Sequence, residues 1–142
     1  MCRFSQRTYA SSPTVPTQVR HFLIEELGDA FAGTELVDDA VLVVSELATN
    51  AFNAGSTRTI VDVALHRNHI QLAVTDDAPG HPAIQNPSAT STHGRGLQLV
   101  SVIATRWGTD TLPHGKTVWA QLTTEPSDLW ACTLPEETSS SR

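Results

Sequence analysis

Two kinds of hydrophobic spacing divide the chain. After Thr17, the residues Val19, Phe22, Leu23, Leu27, Ala30 and Phe31 recur every three or four positions, the period of an amphipathic helix. Thr17 reads as its N-cap, and Gly33 rather than Gly28 as its stop. Val37, Ala40, Val41, Val44, Ala48 and Ala51 repeat that spacing. Thr34 caps this second helix, Glu35, Asp38 and Asp39 suit its positive end, and Gly55 closes it. "TIVDVALHR" and "IQLAVTD" alternate instead, which predicts an antiparallel hairpin over residues 59–67 and 69–75, turning at "NH".

The flanks are shorter. Residues 3–9 alternate loosely, as an edge strand does, and "SSPTVP" reads as a linker in which Pro13 and Pro16 block helix. "DDAPGHPAIQNPSATSTHG" breaks all periodicity and predicts a long loop, of the kind that is usually functional or mobile. "GLQLVSVIATRWG" is helical from Leu97 to about Thr105, "WGTD" opens a strand, "PHG" turns the chain, and "KTVWAQLTT" is the last strand. Strands joined as hairpins, with helices segregated from them, predict a two-layer α/β sandwich: a mixed, mostly antiparallel sheet covered on one face by helices. A doubly wound sheet is excluded, because alternating crossovers are missing from the pattern.

Composition narrows the function. With 142 residues, 39% hydrophobic and 17% charged, the chain has the makings of one globular domain with a real core. A net charge of -6 argues against a nucleic-acid or anionic-membrane surface, though not against a local phosphate pocket. No apolar run nears the roughly 20 residues that span a bilayer, and no apolar stretch follows the N-terminal arginines as in a secretory signal. Cys2 and Cys132 lack partners at metal-ligand spacing and read as free thiols in a reducing cytoplasm.

Four stretches carry candidate chemistry. In "SELATNAFNAG", Glu46, Asn50 and Asn53 share one helical stripe, away from the one through Val44, Ala48 and Ala51. A solvated face would explain the trio, but it lacks the Lys and Arg usual on such faces. Amide oxygens suit a hard cation such as Mg²⁺, and a neighbouring carboxylate can take a proton from an attacking hydroxyl. In "VTDDAPG", an Asp at a strand end can accept from an exocyclic amino group, with Ala78 and Gly80 leaving room for a base; a plain turn has the same composition. In "HGRGLQLV", Gly94 and Gly96 open a helix whose free N–H groups favour an anion, although glycine pairs also merely turn chains. "HGKT" imitates a P-loop, but Asp110 stands where that motif needs its first Gly and Lys116 begins a strand, so a P-loop is rejected. Thr117 enters the sheet beside the strand carrying Asp76.

Taken in order, "ELATNAFNAG", "VTDDAPG", "GRGLQLV" and "GKTVWA" resemble the GHKL (Bergerat-fold) ATP-binding domain, and within it the anti-sigma-factor serine kinases of actinobacterial type. The resemblance covers residues 3–124 and implies a single ATP-binding domain over residues 1–125 with a polar tail at 126–142. It implies Glu46 as catalytic base and Asn50 as the Mg²⁺ ligand. Asn53 is assigned a phosphate or water contact. Asp76, preferred to Asp77 by its spacing to Gly80, is the adenine acceptor, with Ala78 where the family has its first Gly. Gly94, Gly96 and Leu97 contact phosphates, Arg95 adds a cation near them, and Thr117 matches the family's last-strand Thr. The lid corresponds to residues 81–93. The implied cofactors are ATP and Mg²⁺. The implied activity is transfer of phosphate to Ser or Thr of an anti-sigma-factor antagonist. A sigma factor as second partner, a homodimer through the first strand and helix, and a cytoplasmic location without direct nucleic-acid or membrane contact complete the expectation. Three readings compete with it: an ATP-binding adaptor without transfer, a sensor-kinase catalytic domain, and a small α/β binding protein without nucleotide.

Overall fold

The computed structural model of the chain describes residues 3–28, 34–66, 68–78 and 92–123, and of residues 92–96 the backbone alone. Both cysteines, Gly80, most of the lid and the tail lie outside these stretches. The element order is β1 (Arg3–Ala10), α1 (Val15–Leu27), α2 (Glu35–Asn53), β2 (Arg58–Leu65), β3 (His69–Asp76), α3 (Thr92–Ile103), β4 (Arg106–Leu112) and β5 (Gly115–Thr123). The strands form one sheet ordered β1-β2-β3-β5-β4, so β1 is the expected edge. Each of its four pairings is antiparallel, where a mixed sheet was expected.

Alternation decides which side of the sheet is covered. Val61, Val63 and Leu65 of β2, Ile70, Leu72 and Val74 of β3, and Val118, Ala120 and Leu122 of β5 are buried in one core cluster with the helices. The intervening residues point to the other face and pair across strands: Gln121 donates to Gln71 at 2.9 Å, and the Thr75 and Thr117 hydroxyls lie 2.8 Å apart. On that face Trp119 lies over Gly108, where an added Cβ would come within 2.7 Å of the indole. The two-layer sandwich with helices on one face is therefore the observed architecture.

Both first-helix boundaries move from those expected. Pro16 does not block α1 but sits in its first turn, where a missing N–H costs nothing. Thr14 precedes the helix without a side-chain cap bond, and Thr17 lies within the helix, where its hydroxyl accepts from Arg20 at 3.0 Å. The helix stops at Leu27 because Gly28 adopts φ 63, while its N–H still reaches the Ile24 carbonyl. Val19, Phe22, Leu23 and Leu27 are buried as their spacing predicts, and Ala30, Phe31 and Gly33 lie outside the described residues. Glu26 of α1 holds β1 by accepting from the Ser5 hydroxyl and pairing with Arg3, and Arg7 stacks over Phe22 with its guanidinium 4.5 Å from the ring centre.

The second helix starts as read, with the Thr34 hydroxyl accepting from the Val37 N–H. Its buried stripe is rotated from the expected one: Ala40, Val43, Val44, Leu47, Ala48 and Ala51 are buried, while Val37 and Val41 pack at the margin. This rotation matters to the site, because it brings one flank of polar residues to the edge of the core. In the middle of the sheet Leu72 is fully buried. Leu72→Ala should cost about 2–5 kcal/mol of stability, read as a lower urea midpoint with an unchanged slope. An unchanged midpoint would show that the helices do not press on β3.

Candidate functional site

The site begins on α2. Glu46 and Asn50 follow Val43 by three and seven residues, so they share its side of the helix. Val43 is buried and the two polar residues are half-buried. They stand at the shoulder of the apolar stripe, not opposite it. Among the described residues neither side chain has a hydrogen-bond or ion-pair partner. Removal from water without a compensating partner pushes the Glu46 carboxyl above its ordinary range. Asn53, one turn further on, is exposed.

The chain then delivers this end of α2 to one end of the sheet. Gly55 turns with φ 91, the Ser56 N–H bonds the Ala51 carbonyl, and β2 starts within three residues. Thr59 of β2 faces Asp76, the last residue of β3, and Asp76 faces Lys116 of β5. All three point to the helix side of the sheet, in phase with Val61, Val74 and Val118. Ser56, Thr59, Asp76 and Lys116 are all buried, and among the described residues only Ser45 joins them as a buried polar side chain. Elsewhere the described core between the layers is mainly apolar. Buried polar groups are costly without partners, so their gathering at one end makes this end the candidate site.

Asp76 is held on both oxygens. The Ala78 N–H donates to Oδ1 at 2.9 Å, and Lys116 Nζ lies 3.1 Å from Oδ1 and 2.8 Å from Oδ2. The side chains of this ion pair are 2% and 4% exposed. Gly115 permits the approach: it has φ 132, and a Cβ there would overlap the Asp76 carbonyl. Asp77 has a different task. It is exposed and accepts from the Thr57 hydroxyl and from the Thr57 and Arg58 N–H groups, which hold its carboxyl below the usual range and fix the entry to β2. The two carboxylates are thus placed differently, Asp76 buried at the end of the core and Asp77 turned outward to the start of β2.

Thr117 is not brought to Asp76. It pairs with Thr75 and points to the opposite face of the sheet, and Lys116 takes the place beside the carboxylate. The third helix begins at Thr92 rather than Leu97, so Gly94 and Gly96 lie inside its first turns. Among the described residues, the N–H groups without intrahelical acceptors then belong to residues 92–94. Leu97 is buried in the core, which leaves its backbone alone for a ligand; Ala78 is buried too and already spends its N–H on Asp76. The helix packs against α2, which places its face beside the Glu46 and Asn50 helix. The side chain of Arg95, like Gly80, is outside what is described.

Lys116 is the residue that sequence reasoning missed, with Thr59 and Ser56 beside it. Its signal was present: in "KTVWAQL" the lysine stands in phase with Val118, Ala120 and Leu122, on the apolar side of an alternating strand.

The model of the histidine kinase-like ATPase domain matches residues 9–122, from the end of β1 to the end of β5. The chain belongs to this family. The histidine kinase-like ATPase domain is an ATP-binding domain of GHKL type, and the match encloses α2, the Asp76 end of the sheet and the start of α3. No curated protein matches the chain. Among the described residues no helix is long and apolar enough to cross a membrane.

The glycine at the Asp76 contact offers a direct check. Gly55 and Gly115 both have positive φ, but a Cβ at Gly55 meets nothing within 4 Å. Gly115→Ala should therefore lower the thermal midpoint well beyond Gly55→Ala. Equal losses would mean that backbone conformation alone, and not the approach to β3, requires glycine there.

Proposed function

We propose that the chain is a Mg²⁺-ATP-dependent serine/threonine protein kinase whose substrate is an anti-sigma-factor antagonist, and that the same domain sequesters a sigma factor. The observation that carries this reading is the half-buried pair Glu46 and Asn50 on the shoulder of α2, without partners among the described residues. A carboxylate in that position is a base waiting for a proton, and an unheld amide oxygen is a ligand waiting for a cation. Among the described residues no three His, Cys, Asp or Glu side chains converge, so a cation here would rely on Asn50, water and the phosphates. When bound, Mg²⁺ supplies charge neutralisation across the phosphates.

In this reading Asp76 accepts from the base, and the N–H groups at the start of α3 hold phosphate. Glu46 takes the proton from a Ser or Thr hydroxyl of the partner. That oxygen bonds to the γ-phosphorus as the bond to the β-phosphate oxygen breaks, and ADP leaves. The helix N-terminus and the positioning on α2 do most of the work, as phosphoryl transfer requires. Action in the cytoplasm on protein partners, with a homodimer through β1 and α1, belongs to the same proposal. A second reading, an ATP-binding adaptor without transfer, keeps the nucleotide site and gives Glu46 no chemical role; the raised carboxyl of Glu46 favours the kinase.

Labelled ATP, Mg²⁺ and a panel of antagonist proteins test it. Phosphoserine or phosphothreonine should appear on one of them. Glu46→Ala should lower the transfer rate about 10²–10⁴-fold while ATP affinity stays near that of the parent. Asn50→Ala should weaken binding of Mg²⁺-ATP more than of ATP with chelator. Because Glu46 acts as the ionised form, the rate should rise with pH through a carboxyl pKa above the ordinary glutamate value. Nucleotide binding with no transfer to any partner would favour the adaptor.

A further inference from the structure

Building on the reading of Asp76 as the base acceptor, we propose that Lys116 is a specificity-determining residue that reads the nucleobase together with it. The ammonium would donate to the ring nitrogen next to the exocyclic amino group that Asp76 accepts, so the ion pair selects a base by two adjacent groups rather than one.

Hydrogen-bond capacity makes the case. A carboxylate offers about four acceptor sites and an ammonium three donors. Oδ1 of Asp76 already takes the Ala78 N–H and Lys116 Nζ, whereas among the described residues Oδ2 meets Lys116 Nζ only. Lys116 Nζ donates to Oδ1 and lies 2.8 Å from Oδ2, and among the described residues nothing else accepts from it, which leaves at least one of its three N–H groups without an acceptor. One acceptor on Oδ2 and one spare N–H thus stand side by side, with the two heavy atoms 2.8 Å apart. Both belong to side chains at most 4% exposed, where water is a poor substitute for a partner.

An adenine edge complements this pair, with its 6-amino group as donor and N1 as acceptor. The pair is also neutral overall, so a neutral base can meet it without stripping water from an uncompensated charge. A plain structural role for Lys116 is a poor alternative. Buried ion pairs add little net stability over apolar residues of similar size, and Val118, Ala120 and Leu122 fill the same face of β5.

The test alters the ligand, so it does not depend on a variant that folds. Affinities of the unmodified protein for ATP and for 1-deaza-ATP are compared by calorimetry; the analogue keeps the 6-amino group and replaces N1 by C–H. ATP should bind about tenfold or more tightly, because the analogue leaves a buried N–H of the ammonium without the acceptor that N1 provides. Lys116→Met should bind both ligands with similar affinity, and Lys116→Arg, which keeps a donor, should restore part of the preference. Equal affinity of the unmodified protein for the two ligands would overturn the proposal and leave ATP binding intact. Tighter ATP binding by Lys116→Met would overturn it too, by showing that the lysine obstructs the site. No binding of ATP at all would instead remove the ATP site itself, and this proposal with it.

Discussion

A buried carboxylate facing a buried ammonium across two strands is the constraint on which the site depends. Asp76 and Lys116 point into a layer that joins sheet to helices mainly through apolar side chains. Truncating either partner would strand a charge at a cost of about 3–5 kcal/mol, so each fixes the other. Gly115 follows from the same contact, since nothing larger fits against the Asp76 carbonyl. Asp77, one residue on, turns outward and ties β3 to the start of β2. The acceptor face of Asp76 is thereby set by covalent neighbours, by register and by charge at once.

Around that point the fold arranges two further supplies. Helix α2 ends where β2 begins, so its polar shoulder runs toward the same end of the sheet as Asp76. Helix α3 packs against α2 and offers a first turn whose N–H groups lack intrahelical acceptors. In the proposed reading, base recognition, cation and phosphate binding come from three elements that the apolar core holds in register. The other face of the sheet, with its Thr and Gln pairs, takes no part in this.

Much of this was legible in the residues. Periods of two and of three to four located the elements that pack one face on the shared core, whereas β4 was read only from its opening residues and α3 begins before the expected Leu97. Boundaries moved where backbone chemistry outweighs periodicity: Pro16 is at home in a first turn, and Gly28 stops α1 by its positive φ. Glu46 and Asn50 were found by type and spacing, but their standing at the edge of the core came only with the true phase of α2, set by Val43 and Leu47. Thr117 and Lys116 show the limit most clearly. Adjacent strand residues point to opposite faces, and a one-residue choice of register decides which of them meets Asp76.

The central claim is that nucleotide sits at the polar end of the sandwich, between α2, the start of α3 and the ends of β3 and β5. Amide chemical shifts of labelled protein titrated with Mg²⁺-ATP measure this directly. The account predicts saturable shifts at Asn50, Ala78, Leu97 and Lys116, with Gln71 and Gln121 on the far face unmoved. Saturable shifts centred on Gln71 and Gln121, with Ala78 and Lys116 silent, would contradict it.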